Sequence, residues 1–254
     1  MQPYDHGSIQ SLRHQFRIRS ERYKESTAWA RDTRIDDLIV SCLPRLSRDQ
    51  VGLDVGAGTG RLTMRLADMG EKWISMDVSR EMLQAGPAPI PVVADANRIP
   101  VGDESVDIAL AQSILPFVPF GSLLREAHRI LRPEGAVVVA DKVLGFLRGP
   151  DERWYHDLER ARNPARRLGR RTEDLAHEAE EAGFRCDFQD DYAIEYQETV
   201  TDWLDRAGRM PGSNIEAIKR LLENRPDSVR VFDADGGQSI AYVLTWGLLR
   251  LRKA

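Results

Sequence analysis

"QVGLDVGAGTGRLTMRLADMG", residues 50–70, decides the fold. A short apolar run feeds three glycines in five positions, Gly56, Gly58 and Gly60. A helical pattern follows at once and closes at Gly70, a residue suited to the left-handed end of a helix. The stretch therefore reads as a buried strand, a glycine turn and a helix. Such a turn lets a ligand approach bare backbone and aims helix N-terminal N–H groups at it.

The alternation continues outward. "KWISMDV" (72–78), "VVADA" (92–96), "SVDIALAQS" (105–113) and "AVVVAD" (136–141) read as strands. Helices fill the gaps at "REMLQA" (80–85), which Ser79 can cap, and "SLLREAHRIL" (122–131), which the turn "RPEG" ends. Strands that are almost continuously apolar, alternating with helices, imply a parallel sheet covered on both faces. Ligands of such open sheets sit beyond the carboxyl ends of the strands. Before this core, "DTRIDDLIVSCLPRL" (32–46) puts Ile35, Leu38, Ile39, Cys42 and Leu43 on one helical face. After it, two helical pieces split at Asn163–Pro164, then a bent strand (185–197), helices at 199–208 and 214–225, and a last strand (239–253) complete the chain. The expectation is one α/β domain over 1–254 with a doubly wound, mostly parallel, seven-stranded sheet. It divides into a helical cap (1–48), a core (49–143) and a lid with closing strands (144–254).

The 254 residues are ample for a full core, and 42% apolar with 30% charged residues fits an ordinary globular chain. A net charge of −4 supplies no global field for nucleic acid or an anionic membrane. No apolar stretch approaches the roughly 18 residues of a membrane span. The first residues, "MQPYDHGSIQSLRHQF", lack the apolar centre of a signal peptide. Cys42 and Cys186 form no disulfide framework or metal pattern, which points to reduced thiols, a cytoplasmic protein and no metal. Six arginines between Arg160 and Arg171 read first as a solvated helix face. The second reading is that one or two of them reach an acidic group or a phosphate.

The glycine loop departs from the dinucleotide fingerprint G-x-G-x-x-G, whose third position would be 61 and is Arg61. A bulky side chain is awkward where the helix must pack close beneath a pyrophosphate. Asp77 ends the second strand, 17 residues after Gly60, where a carboxylate can accept from both hydroxyls of a ribose. Asp95 ends the third strand, where it can accept from an exocyclic amine such as that of adenine.

With these residues in register, the stretch 51–141 resembles the class I S-adenosylmethionine-dependent methyltransferases, particularly the ubiquinone/menaquinone-methyltransferase-like group. "LDVGAGTGRLT", "MDVSREML", "ADANRIPVGDESVDIALAQSIL" and "LLREAHRILRPEGAVVVAD" carry the resemblance, over about 90 of the 254 residues. It implies a Rossmann-like fold and S-adenosyl-L-methionine as cofactor. Gly56, Ala57, Gly58 and Gly60 would line its methionyl and ribose portion, and Asp54 would accept from its ammonium group. Asp77 would hold the ribose hydroxyls, and Val78 and Met82 would pack against adenine, although Met82 also suits plain core packing. Asp95 would take the adenine amine with the Ala96 backbone beside it, and Gln112 would contribute its backbone.

The acceptor side is less defined. The candidate bases are Asp141, ending the fifth strand, and His156, with Tyr155, Tyr192, Glu195 and Glu198 nearby in the pattern. His128 and His177 read as structural and surface residues. Tyr23 and Trp29 are candidates to cap the cofactor or substrate, and Trp203, Leu204, Ile215 and Leu222 to line a roof. The leading expectation is O-, N- or C-methylation of a small molecule, with a homodimer as a candidate assembly. The alternatives are a non-methylating, pericyclase-like or accessory binder of the same cofactor, an RNA methyltransferase, or an NAD-dependent oxidoreductase. "QSILPF" (112–117) lacks the D/N-P-P-Y/F pattern of base-amine methylation, and the 56-58-60 spacing argues against NAD.

Overall fold

The computed structural model describes residues 6–20, 32–164, 166–167, 169–208, 212–234 and 237–254. Among the described residues, helices α1 (His6–Ser20) and α2 (Arg34–Cys42) precede the first strand. The core then alternates β1 (Gly52–Val55), α3 (Arg61–Asp68), β2 (Trp73–Asp77), α4 (Arg80–Gln84), β3 (Pro91–Val93), β4 (Val106–Gln112), α5 (Phe120–Ile130) and β5 (Leu131–Val143). The C-terminal part adds α6 (Gly149–Arg162), α7 (Thr172–Glu181), β6 (Phe184–Thr199), α8 (Val200–Gly208), α9 (Ile215–Glu223), β7 (Arg230–Ala234) and β8 (Gly237–Lys253).

The sheet runs β3-β2-β1-β4-β5-β8-β6, and β7 pairs with β8 outside this path. β1 to β5 are parallel, and β8 lies antiparallel between β5 and β6. The α/β class and the mostly parallel sheet are as the sequence implies. The strand count is a correction: among the described residues the five-residue β7, paired with β8, makes eight strands rather than seven. "RPEG" also differs, because β5 already begins at Leu131. Glu134, at φ +65, lies inside it, and the β4–β5 register shifts between Val106 and Ile108.

Side chains alternate across the strands and feed two cores. Leu53, Val55, Ala109, Ala111, Val137 and Val139 pack against Leu123, Leu124, Ala127 and Ile130 of α5 and Leu175 and Ala179 of α7. On the other face, Ile108, Leu110, Val138 and Ala140 meet Ile35, Ile39 and Cys42 of α2 and Leu62 and Leu66 of α3. Gly52 is part of this fit, since a Cβ there would fall 2.4 Å from the indole of Trp73, its register partner on β2.

The strand order reverses between β1 and β4, so the crevice of an open α/β sheet lies beyond their carboxyl ends. Strand lengths extend the sheet there. Val143 ends β5 opposite Thr245, but β8 continues back to Gly237 and β6 on to Thr199. The antiparallel pair thus projects past the parallel strands on the crevice side. It carries a third core, in which Trp203, Ala207, Ile218 and Leu222 of α8 and α9 pack with Leu158 of α6 and Ile240.

Candidate functional site

The glycine loop is anchored on one carbonyl, because the N–H groups of Gly56 and Ala57 both donate to Met76 O, at 2.8 and 2.9 Å. Gly56, Gly58 and Gly60 adopt φ of +79°, +57° and +72°, the left-handed region that favours glycine. Packing reinforces the requirement. A Cβ on Gly56 would lie 2.8 Å from Ile114 Cδ1, and one on Gly60 2.3 Å from Ala88 Cα. At Gly58 the nearest atom is Met82 Cε at 3.3 Å. Two of the three glycines are therefore demanded by the protein's own packing as well as by any ligand.

Three carboxylates follow the strand ends around this loop. Asp54 is buried and accepts from Thr63 Oγ1 at 2.5 Å. Burial pushes its carboxyl up to about 7, against the Thr63 bond, and the Asp77 and Asp36 charges add to the rise. Asp77 accepts from Gly58 N and from Ser79 N, each at 2.8 Å. Burial raises its pKa, and the backbone N–H groups oppose the rise. Asp95 is half-buried, and its Oδ1 accepts from the backbone and side-chain N–H groups of Asn97 at 2.9 and 2.7 Å. Ser79 caps α4, accepting from Met82 N at 3.2 Å. Val78 is half-buried, Met82 is fully buried beside the loop, and Ala96 is buried in the α5-side core.

A polar network that the sequence reading missed underlies the loop. Asp36 of α2 is fully buried and takes both guanidinium nitrogens of Arg61, with Gln112 Nε2 at 3.4 Å. Arg61 opens α3, where the helix dipole disfavours a cation. That mismatch was the available signal that an acid must face it.

The acceptor-side candidates separate. Asp141 is 1% exposed, and its two oxygens accept from Leu115 N and Lys142 N, each at 2.8 Å. It anchors the loop after β4, and burial raises its pKa. His156, on α6, keeps a buried Nε2 with no hydrogen-bond partner among the described residues. Burial raises the Tyr155 phenol, with the Glu159 charge adding to it. Trp203 is buried under the Arg162 guanidinium, 4.7 Å from its ring centre. Tyr192 packs half-buried on the α2-side core. Glu198 pairs with Arg206 and accepts from Tyr242 Oη at 2.5 Å, and Glu195 is exposed near Arg230. Tyr23 and Trp29 lie outside the described residues.

The arginine run is not a plain solvated face, which corrects the first reading of it. Arg162 and Arg166 both pair with the buried Glu159, Arg171 with Glu152 and Arg170 with Glu178. Arg160 is exposed, 3.5 Å from Asp157. Among the described residues no three His, Cys, Asp or Glu side chains converge as a metal set, and no helix is long and apolar enough to cross a membrane.

The family described as "Methyltransferase domain" matches residues 53–139, from β1 through most of β5. The match covers β1 to β5, the parallel part of the sheet. An uncharacterized methyltransferase of Mycobacterium tuberculosis is 36% identical over 104 residues, 38% of this chain and 43% of the relative. Demethylmenaquinone methyltransferase of Mycobacterium marinum is 36% identical over 92 residues, 35% of this chain and 40% of the relative. The alignments span less than half the length of these relatives. Among solved structures, a candidate methyltransferase of Bacillus halodurans superposes with a TM-score of 0.68 at 20% identity, covering 86% of this chain and 98% of the other. The 4+2 cyclase SpnF superposes with a TM-score of 0.64 at 16% identity, covering 95% and 94%. Likeness at this identity establishes the methyltransferase fold over nearly the whole chain.

Proposed function

We propose that the chain is an S-adenosylmethionine-dependent methyltransferase acting on a small-molecule acceptor. The observation that carries this reading is the series of Asp54 in β1, Asp77 ending β2 and Asp95 two residues past β3, around a left-handed glycine loop. The residues suit the cofactor. Each Asp77 oxygen accepts one backbone N–H, and a carboxylate oxygen can accept more, so capacity remains for two ribose hydroxyls. Asp95 Oδ2 is available beside the Ala96 backbone for an adenine amine, and Asp54 offers a buried carboxylate to a cationic ligand end. When bound, the cofactor supplies an electrophilic methyl group on sulfur.

The chain's own contribution is placement and the exclusion of water. Orienting two reactants in line supplies about 7–11 kcal/mol in favourable cases. The lid core of α6, α8 and α9 stands over the strand ends where an acceptor would lie. Inward pairing of Arg162 and Arg166 favours a small molecule over nucleic acid, which needs outward-facing cations along its backbone. Of the two candidate bases, His156 has an unengaged buried ring nitrogen, and Asp141 is committed to backbone N–H groups.

Calorimetry with S-adenosylmethionine and S-adenosylhomocysteine tests the reading. Both should bind the full chain, and Asp77→Asn, which keeps one of the two acceptor oxygens, should weaken each about tenfold or more in protein that still unfolds cooperatively, the scale of a charged hydrogen bond. No affinity for either compound overturns it. Binding without S-adenosylhomocysteine production across a broad acceptor panel would instead favour a non-methylating enzyme of the same fold.

A further inference from the structure

Resting on the methyl-transfer reading above, we infer that the acceptor is an aromatic acid, held between α6 and the β6–β8 extension by Arg162 and Arg166. Charge supplies the first argument. Tyr155, Glu159 and Arg162 share one α6 face at helical spacing, and Arg166 follows the break at Asn163. Both guanidiniums are spent on the single Glu159 carboxylate. Burial raises Glu159, yet the two arginines outweigh it and hold the group ionised. Lys142 lies beside the same layer, 4.4 Å from the Trp246 ring centre and 3.2 Å from Ser113 Oγ, and its charge also bears on Glu159. Two guanidiniums thus share one carboxylate, an excess of positive charge at Glu159. Partly desolvated excess charge is costly, and a ligand anion offsets it.

Unsatisfied polarity supplies the second argument. Buried polar atoms are nearly always hydrogen-bonded. Here Nε of Arg162 and Nε2 of His156, both on α6, are buried without a partner among the described residues. Both are donors or donor-capable nitrogens on one helix, α6, which suits an acceptor-rich ligand such as a carboxylate.

The surfaces around these groups are aromatic. Arg162 lies over Trp203, and Arg166 lies 6.0 Å from the Phe117 ring centre. Phe117 meets Phe16 edge to face at 5.2 Å, and Tyr196 stacks on Tyr242 at 6.1 Å. Flat rings and a planar guanidinium fork together match a planar ring bearing a carboxylate.

The test uses the full chain saturated with S-adenosylhomocysteine, so that cofactor binding is measured first and separately. Benzoate, 4-hydroxybenzoate and cinnamate are titrated beside their neutral amides and beside hexanoate. The aromatic acids should bind about tenfold or more tighter than the amides, the scale of a charge-assisted bond, and tighter than hexanoate. Arg166→Gln should remove the preference for acids with S-adenosylhomocysteine affinity retained. Glu159→Gln, which frees both guanidiniums, should tighten the acids several-fold, a gain that a folding defect cannot mimic. Amides binding as well as acids, no binding by any acid, or acid affinity unmoved or weakened in Glu159→Gln overturns the inference. Loss of S-adenosylhomocysteine binding in the wild type overturns the methyl-transfer reading instead.

Discussion

Asp54 should make cofactor binding depend on pH in a calculable way. Its carboxyl is pushed up to about 7 by burial, so near pH 6 most of the free protein carries a proton there. A cationic ligand end beside it favours the carboxylate, so the proton must leave on binding. The apparent dissociation constant then scales as one plus ten to the power of pKa minus pH. If the bound pKa returns to about 4, this factor is about 11 near pH 6 and about 1.1 near pH 8, so affinity rises about tenfold, worth about 1.4 kcal/mol. Titration calorimetry with S-adenosylhomocysteine in buffers of different ionisation enthalpy should detect nearly one proton released per site near pH 6. Asp54→Asn, whose amide oxygen can still accept from Thr63, should flatten the slope, and any titration belonging to the ligand survives in that variant. The ligand-free protein gives a second readout. A carboxyl raised in the folded state contributes stability that is present below its unfolded pKa and lost as pH rises through about 7. The wild type should therefore lose stability between about pH 4 and 7 relative to Asp54→Asn, by an amount of order 4 kcal/mol. A flat binding profile for the wild type, or a slope unchanged in Asp54→Asn, refutes the reasoning.

Two substitutions probe the loop and its support. Gly60→Ala places a methyl group 2.3 Å from Ala88 Cα at φ +72° and should cost at least about 1–3 kcal/mol in urea denaturation. An unchanged midpoint would show that the loop relaxes freely. Arg61→Ala leaves Asp36 buried with only the distant Gln112 amide and should cost up to about 3 kcal/mol, with Arg61 itself being partly exposed. The double variant Arg61→Met/Asp36→Leu should recover most of that loss in the same assay, and equal destabilisation of single and double variants would contradict a charge-based cost.

The parallel core was legible because its signals are local and repeated. A parallel strand buried on both faces is an apolar run, and a glycine with positive φ announces itself by type, as Gly56, Gly58 and Gly60 do. Ser79 was readable as a cap for the same reason. Asp36 was not readable, because Asp36 and Asp37 are adjacent and identical in type, and only the partner 25 residues away decides which is buried. The arginine run misled in the same way, since spacing indicates a shared face but not what covers it. β7 was overlooked although "RVFDADGGQSIAY" carries an Asp-Gly hairpin signal between two β-rich runs.

The boundary of the family match explains why the cofactor side is easier to read than the acceptor side. The match ends at residue 139, two residues before Asp141 and three before Lys142. Asp54, Asp77 and Asp95 fall inside it. Lys142, Tyr155, His156, Glu159, Arg162, Arg166, Tyr196, Trp203, Tyr242 and Trp246 all fall outside it. A cradle for one fixed ligand constrains strand ends in sequence order, so its residues recur at set spacings. The layer proposed for the acceptor is assembled from α6, α8 and the overhanging ends of β6 and β8, joined only in space. Its charge can change without disturbing the parallel strands, because the overhang begins past Val143, where β5 stops. Substituting Glu159 or Arg166 should therefore alter which acceptor binds and leave the cofactor's affinity intact, and that separation is what the acid-and-amide titration measures.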